Sequence, residues 1–559
     1  MDSRKYLLVA GVGALAITSL VGCKKNSKED EYVGGKLKVS IRNLYFGDYE
    51  GGDYYLRKIE DQFKIKIKFS SYDWANWSEQ VMGQVNGGNL PDLFHANIDS
   101  YNFANSYKMW AEEGIVKPLP SDLSRWPNIN SLIEHTSNVD ALKIKGRLYG
   151  IPVAKNTTNY DDALFSPFTY VYRRDWAKQW GVYQENDEYT WEQFENLLNV
   201  FKTHLSAANG KYALGDVEWG FPSITNFYKQ VPHCFAFDET KGDHGKYVNN
   251  YTTTAYINGL KESKSFFSNG WYNKSQNVAR DGDTNKAYCE GKLGVFYENL
   301  SYENYMNIKK ALKENNPAYS GDDLAEAAAI MKIRGEDGKY VLEGTDNWFS
   351  MTFFDKHIST KKQELVLDVI DWLLGEEGTI FSIYGEEGTD YNIEQVWDEE
   401  AQAMVDKIVL DPASWPEAED GISASKINGA NYLRYLASLG YDTLSYNPLV
   451  DRRTAQALVD WENEMKAAYV ADDPATPDVN EYERDSQLKI LIENPEVRWL
   501  TTEQKASYSG LMRDRALKIV MGYVYSASAF NESSYKNEEY FGYPWPDVLR
   551  EINNYLRYN

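Results

Sequence analysis

Cys23 is the residue whose position most directly indicates a chemical modification. It follows a short basic start, with Arg4 and Lys5, and an apolar run over residues 7–17. A positive region, a brief apolar region and then small residues are typical of a secretory signal peptide. The apolar run is shorter than the roughly 20 residues that a membrane-spanning helix needs. The sequence therefore predicts an exported chain with a signal peptide over residues 1–22.

Residues 20–23 (Leu-Val-Gly-Cys) resemble the bacterial lipobox. The cysteine of that motif is acylated and becomes the first residue of the mature protein, so the resemblance implies a lipid on Cys23. An uncleaved anchor with a chance cysteine is the alternative interpretation. Residues 23–35 are largely polar and have little to bury, which predicts a flexible tether. We expect the chain to be anchored to the cell membrane on its extracytoplasmic face.

Charge and motif searches argue against several classes of function. The formal net charge of −24 disfavours nucleic-acid binding, which depends on basic surfaces. The six histidines have no metal-ligand spacing, and no Gly-x-Ser-x-Gly motif is present. Residues 281–292 begin like a calcium loop but carry Lys286 and Lys292 where that loop needs Gly and Glu. We therefore predict no metal and no cofactor.

Three cysteines leave few covalent options. If Cys23 carries a lipid, one disulfide remains available, between Cys234 and Cys289. An oxidising compartment permits that bond. Two buried thiols are the alternative, and the sequence does not choose between them.

The first hundred residues of the mature chain alternate between strand and helix patterns. Residues 36–42 and 65–69 have the period-two alternation of strands, and 93–94 form a third short apolar run. Apolar residues at helical spacing lie between them, at Tyr55, Ile59 and Phe63 and at Trp77, Val81 and Val85. Strands that alternate with helices predict a mainly parallel sheet with crossover connections. Capping-box patterns begin further helices at Thr190, Thr360 and Thr501.

Several ordered motifs resemble those of family 1 extracellular solute-binding proteins. Residues 87–93 (Gly-Gly-Asn-Leu-Pro-Asp-Leu) resemble the Gly-x-x-Pro-Asp segment of that family, and 146–152 (Gly-Arg-Leu-Tyr-Gly-Ile-Pro) resemble its Gly-x-x-Tyr-Gly-Ile-Pro strand. Residues 172–176 and 189–194 resemble its Tyr-Arg-x-Asp and Thr-Trp-x-x-Phe pair. Gly-Lys at 291–292 and Tyr-Gly-x-x-Gly at 384–388 follow in the family's order. The length beyond residue 400 resembles the large lipoprotein branch that binds oligosaccharides.

The resemblance implies an α/β fold of two periplasmic-binding-protein-like lobes. Each lobe is expected to hold a mainly parallel sheet flanked by helices, and an additional helical region is expected at the C-terminus. The predicted N-terminal lobe comprises 36–151 plus 297–352, and the C-terminal lobe comprises 152–296 plus 353–559. The calcium-binding stretch of some long members is not matched here, because 208–214 lacks the carboxylates.

Candidate ligand-binding residues follow the predicted strands, since ligands of open α/β sheets meet the loops beyond the carboxyl ends of strands. We expect the rings of Trp74 and Trp348 to cover the apolar face of a pyranose, while Asp48 and Glu298 bind its hydroxyls. A uronic-acid ligand would need at least one of the two cations Lys155 and Arg173 in the cleft, and pairing with Asp175 is the alternative role of Arg173. The full predicted set is Asp48, Trp74, Asn97, Asp99, Lys155, Tyr297, Glu298 and Trp348.

The function expected from these features is the capture of an oligosaccharide between two lobes and its delivery to the permease subunits of an ABC importer. The protein is expected to be a monomer with no catalytic residues. An exported carbohydrate-active enzyme is one alternative, with Glu298 and either Asp48 or Asp99 as its acid pair. A ligand sensor coupled to a membrane kinase is another.

Overall fold

The computed structural model describes residues 30–47, 49–73, 76–97, 104–136, 139–154, 168–216, 223–224, 235–238, 246–249, 253–272, 282–300, 302–334, 348–398, 402–411, 413–414, 429–438 and 524. Two α/β lobes make up most of this part of the chain, each with one sheet. Cys23 and the predicted helix that begins at Thr501 lie outside the described residues. In the described residues, none of the helices has both the length and the apolar character needed to cross a membrane.

The first sheet has seven strands, and five of them run in one direction while β1 and β14 run against them. Its alternating strands β2 and β3 pair in parallel, as the sequence predicts. The strands are β1 (Tyr32–Val33), β2 (Lys36–Asn43), β3 (Ile65–Ser71), β4 (Leu93–Ala96), β5 (Val116–Lys117), β6 (Gly150–Ala154) and β14 (Trp348–Asp355).

Helices pack on the first sheet and bury their apolar stripes in its core. The stripe of the first helix contributes Leu56 and Ile59, and Asp53 caps that helix by accepting from the backbone N–H of Leu56. These helices are α1 (Tyr54–Gln62), α2 (Trp77–Gly87), α3 (Ala104–Glu112), α4 (Pro127–Glu134), α5 (Val139–Leu142), α12 (Thr360–Leu374) and α14 (Gly429–Arg434). Helix α13 (Glu376–Tyr384) contacts both cores, with Phe381 against the first and Ile383 and Tyr384 in the second.

The second sheet has five strands in the order β8-β13-β7-β12-β9, and only β7 runs against the others. The strands are β7 (Phe168–Tyr172), β8 (Glu188–Tyr189), β9 (Tyr212–Gly215), β12 (Leu293–Asn299) and β13 (Ala329–Ile333). The helices of this lobe are α6 (Arg174–Gln179), α7 (Trp191–His204), α8 (Thr254–Ser268), α9 (Asp283–Cys289), α10 (Tyr302–Asn315) and α11 (Gly321–Ala327). The capping box predicted at Thr190 is present, with Gln193 as its second member.

Two hairpins stand apart from the main sheets. They are β10 (Phe235–Asp238) with β11 (Lys246–Asn249), and β15 (Tyr391–Asp398) with β16 (Ala403–Leu410). The predicted helical C-terminal region thus includes a β-hairpin among its described residues. The cap of α12 is also corrected: Ser359, one residue before the predicted Thr360, accepts from the backbone N–H of Lys362.

The boundaries between the two lobes differ from those that were predicted from the motifs. Strand β12 pairs with β7 and β9, and α10 packs in the second core, so 297–333 lies in the second lobe. Strand β14 and helix α12 pack in the first core, so 353–374 lies in the first lobe. Helix α14 also packs there, through Ala430 and Leu433. The motifs could not locate these boundaries because they give chain order without strand pairing.

Candidate ligand-binding edges of the two sheets

The carboxyl edges of the two sheets are connected to each other. The chain leaves β6 at Ala154 and enters the second sheet at Phe168, and it leaves β13 at Ile333 and returns at Trp348. Because β7 and β14 run against their neighbours, their first residues lie at the carboxyl edge. Both connections therefore run from one carboxyl edge to the other. Open α/β sheets bind ligands beyond such edges.

The first edge is formed by the ends of β2, β4 and β6 and the start of β14. Asn43 ends β2, and its Oδ1 accepts from the backbone N–H of Tyr45 at 3.0 Å. The ring of Tyr45 meets that of His95 edge to face, with centroids 5.3 Å apart. The predicted site residue Asn97 directly follows β4 at this edge and is partly exposed.

Trp348 also lies at the first edge, but it differs from the expectation. It is the first residue of β14, opposite Ala154, and only 4% of it is exposed. Its ring is part of the first hydrophobic core. The expected position on a strand-end loop is therefore corrected: strand pairing with β6 holds this residue in the sheet, where its side chain packs.

One face of the first sheet near this edge is polar and buried. Thr352 pairs with His95, so their side chains share a face, and Ser350 lies two residues before Thr352 on the same strand. Each of these three residues is fully buried. Both ring nitrogens of His95 and the hydroxyls of Ser350 and Thr352 have no hydrogen-bond partner among the described residues. Burial lowers the pKa of His95 to about 3, so its imidazole is neutral at ordinary pH.

A segment from the C-terminal region covers part of this edge. The backbone N–H of Ala154 donates to the carbonyl of Ala437 at 2.9 Å, and Ser438 forms a bridge beside it. The stacked rings of Tyr432 and Tyr49 lie 4.1 Å apart, and the backbone N–H of Gly429 donates to Asp53. A side chain at Gly429 would collide with Leu56 and Tyr49, so only glycine permits this approach.

The second edge carries two predicted site residues, Tyr297 and Glu298, at the end of β12. Tyr297 is nearly buried and its ring lies 5.1 Å from that of Tyr170. Glu298 is partly exposed, and its Oε1 accepts from the backbone N–H of Asn299 at 2.8 Å. The end of β12 therefore carries a nearly buried ring and, on the next two residues, a partly exposed carboxylate and amide.

A buried hydrogen-bond network lies beside them, just after β9. Oδ2 of Asp216 accepts from the backbone N–H and the hydroxyl of Ser223, at 2.8 and 3.0 Å, and from the Tyr272 hydroxyl at 3.0 Å. The hydroxyls of Ser223 and Tyr170 lie 2.5 Å apart. Burial and the Asp216 charge hold the pKa of Tyr170 well above its ordinary value. The sequence gives no signal for this network, because residues 216 and 223 belong to no recognised motif.

Other predicted residues have structural roles or fall outside the structure. Arg173 is buried, pairs with Asp175 and donates to the Tyr319 hydroxyl at 2.9 Å, so its guanidinium is engaged. Cys289 is a buried free thiol, and burial raises its pKa to about 12. Trp77 packs partly buried against the first core. Outside the described residues lie Asp48, Trp74, Asp99, Lys155 and Cys234.

The sequence pattern of β14 indicates the polar face of the first sheet. Residues 350–353 (Ser-Met-Thr-Phe) alternate polar and apolar residues within a buried strand. Such a period of two places Ser350 and Thr352 on one face. Across the described residues, no group of three or more His, Cys, Asp or Glu side chains is arranged to hold a metal ion.

Part of the chain is similar in sequence to one family of known proteins. Residues 55–315 match the sequence model of a family described as bacterial extracellular solute-binding protein. The Bacillus subtilis (strain 168) lipoprotein LipO is 21% identical over 391 residues, which cover 68% of this chain and 72% of LipO.

Two solved structures share the fold over nearly the whole chain. One is the Streptococcus pneumoniae ABC-transporter substrate binding protein FusA, solved with kestose, which has a TM-score of 0.60 at 15% identity. The match covers 93% of this chain and 99% of the FusA chain. The alginate-binding protein AlgQ2, solved without calcium ion, has a TM-score of 0.59 at 15% identity and covers 92% of this chain and 97% of its own. Residues 55–315 are thus similar in sequence to the bacterial extracellular solute-binding proteins, and the fold of the chain is similar to that of FusA and AlgQ2.

Proposed function

We propose that this protein captures an oligosaccharide between its two carboxyl edges and delivers it to an ABC importer. The observation that carries the proposal is the connection of the two edges by both chain crossings, with Asn97 on one edge and Tyr297 and Glu298 on the other. A ligand held by both edges favours a closed arrangement of the lobes. FusA with kestose and AlgQ2 as an alginate binder support a sugar as the ligand.

The proposed site combines groups that suit a sugar. Ring faces cover the C–H surface of a pyranose, and carboxylates and amides bind its hydroxyls. Besides Asn97, Tyr297 and Glu298, we propose Asp48, Trp74, Asp99 and Lys155 as ligand-binding residues on the sequence argument alone. Micromolar affinity, about −8 kcal/mol, suits a protein that must also release its ligand.

Calorimetric titration of the purified chain tests this proposal. A panel of neutral and uronic-acid oligosaccharides should include at least one that binds, and Glu298→Gln should weaken that binding about tenfold through its lost charge-assisted hydrogen bond. Glu314→Gln, an exposed position on α10, is the matched control and should bind as wild type. Binding of peptides and of no sugar contradicts the proposal. Loss of uronic-acid binding alone in Lys155→Ala identifies an acidic ligand.

We propose further that Cys23 carries the lipid that anchors the protein outside the cytoplasmic membrane. The lipobox pattern supports this, as does the relative LipO, which is named a lipoprotein. Cys23→Ala should abolish labelling by a radioactive fatty acid and leave uncleaved precursor or protein shed into the medium. Normal labelling of that variant contradicts the assignment.

A further inference from the structure

The hairpin of β15 and β16 is buried at its base, within the part of the chain that the structure describes. Tyr391, Ile408 and Leu410 are buried in the second core. Towards the tip, side chains become exposed, and no other described strand pairs with either edge of the hairpin. A two-stranded hairpin is marginally stable in water unless something packs on it. Its exposed face therefore needs a role.

That face carries the largest exposed apolar side chains of the lobe's described residues. Trp397 is 52% exposed and lies directly opposite Met404, which is 54% exposed. Ile393 lies on the same face, four residues nearer the base than Trp397, and is 51% exposed. Along the strand, Ile393 and Trp397 are separated by about 13 Å, four residues at the usual rise.

A polar pair separates these two apolar positions. Gln395 lies opposite Asp406, and its amide donates to that carboxylate. The face thus reads apolar, polar, apolar from base to tip. The amide retains its carbonyl oxygen and the carboxylate retains its second oxygen as further acceptors.

The order of apolar and polar residues on this face, together with its charge, restricts the chemical class of partner that can bind there. The core of a protein–protein interface is depleted of charged residues, whereas a carboxylate stands at the centre of this face. Asp406 gives this face an acidic group, whereas Glu394 and Lys407 lie opposite each other on the other face, and the whole chain has a formal net charge of −24. An acidic surface is repelled by nucleic acid and by anionic membranes. A neutral, hydroxyl-rich ligand with apolar faces suits it best.

We propose that this face of β15 and β16 is a second carbohydrate site, which binds a polysaccharide chain. The exposed Trp397 ring covers the C–H face of one pyranose. Gln395 and Asp406 bind hydroxyls of the next unit, and Ile393 contacts the unit beyond. The site goes beyond the proposed capture between the lobes, because it would hold chains too long to be enclosed.

Native affinity electrophoresis of the whole mature chain tests the site, with laminarin, xylan, pullulan or galactomannan in the gel. Wild type should be retarded by at least one of these polysaccharides. Trp397→Ala should raise the dissociation constant about tenfold, as expected for the loss of an aromatic anchor. Trp397→Phe should retain part of the retardation. Tyr32→Ala removes an equally exposed ring from β1 and should migrate as wild type.

Calorimetry with a short oligosaccharide of the retarding polysaccharide separates this site from capture between the lobes. Trp397→Ala should bind that oligosaccharide as wild type does. A wild type that no polysaccharide retards, or a Trp397→Ala variant that is retarded equally, overturns the second site and leaves the proposed function intact. Equal weakening of the short and long ligands in Trp397→Ala also overturns it, since the ring would then belong to a single shared site. Absence of any calorimetric binding counts against the proposed function instead.

Discussion

The two carboxyl edges occupy equivalent places in their lobes but satisfy their buried polar groups in different ways. At the second edge, Asp216 accepts hydrogen bonds from both Ser223 and Tyr272. At the first edge, His95 and Thr352 are as deeply buried, yet their polar side-chain atoms have no partner among the described residues. An unsatisfied buried polar atom costs about 1–3 kcal/mol, so the first edge lowers the stability of its lobe where the second raises it.

The two edges differ in how firmly their polar side chains are held in place. A self-satisfied network holds the side chains of Asp216, Ser223 and Tyr272 in one arrangement, beside the strand end that carries Tyr297 and Glu298. Polar groups that lack partners within the fold are free of such a constraint. The buried polar groups at the edge that carries Asn97 therefore lower the stability of the first lobe. Unfolding measurements on variants can determine the size of this loss.

The largest effect is expected from Trp348→Ala at the first edge. Truncating a tryptophan in a packed core costs about 3–5 kcal/mol, and Trp348 belongs to that core. Thermal melting and urea unfolding should both show the loss. Trp397→Ala, at a half-exposed ring, is the control and should change stability little. A Trp348→Ala variant that melts as wild type but loses its ligand would restore the stacking role predicted from the sequence.

The next largest loss of stability is expected from Asp216→Asn, which tests the second edge. The amide oxygen can still accept from Ser223 and Tyr272, but it carries no charge, so these buried hydrogen bonds lose their charge-assisted strength and the amide brings an N–H group that needs a partner of its own. We expect the free energy of unfolding to fall by about 3 kcal/mol, measured by urea titration. If the loss is below that of an average surface substitution, the network is not what holds this edge.

Acid sensitivity should distinguish the edges further. Burial depresses the pKa of His95 to about 3, whereas the unfolded chain takes up a proton near 6.5. The unfolded state therefore binds one more proton between these values, and stability present above pH 6.5 is lost as the pH falls towards 3. At pH 5 the loss is about 2 kcal/mol.

The measurement is urea unfolding of wild type and His95→Leu between pH 7.5 and 4.5. The variant should lack this part of the pH dependence. His135→Leu, at an exposed position after α4, should keep it. Equal slopes in wild type and His95→Leu would mean that His95 is hydrated in the folded protein.

Local patterns allowed much of the fold to be predicted. Alternation identified β2 and β3, and Thr190 with Gln193 marked the start of α7, because these signals depend on neighbours in sequence. The cap of α12 was displaced by one residue because Ser359 and Thr360 are both good caps, and only the backbone decides.

The unpredicted features depend on pairing across long stretches of chain. His95 and Thr352 share a face only through the register of β4 with β14. The contact of Ala154 with Ala437 joins segments far apart in sequence. Of the predicted site residues, Asn97 lies at a carboxyl edge because it follows a strand that its own short apolar run identified. Tyr297 and Glu298 lie at the other carboxyl edge because they end the strand that follows the Gly-Lys motif at 291–292.

The smallest expected effect is also the most direct comparison of the two edges. Thr352→Val replaces a buried hydroxyl without a partner by a methyl group of similar size. Ser223→Ala removes a hydroxyl that donates to Asp216. Each should change the free energy of unfolding by about 1 kcal/mol, the first upwards and the second downwards.

Opposite signs in the two urea midpoints, at equal slopes, would establish that the edges differ in how their polar groups are satisfied. If Thr352→Val destabilises instead, its hydroxyl has a partner such as an ordered water, and the contrast drawn for the first edge fails. Titration of the same variants with the bound oligosaccharide then assigns the role. A stabilised Thr352→Val that binds normally has lost a group that serves only the fold, whereas one that binds weakly has lost a group that the ligand uses.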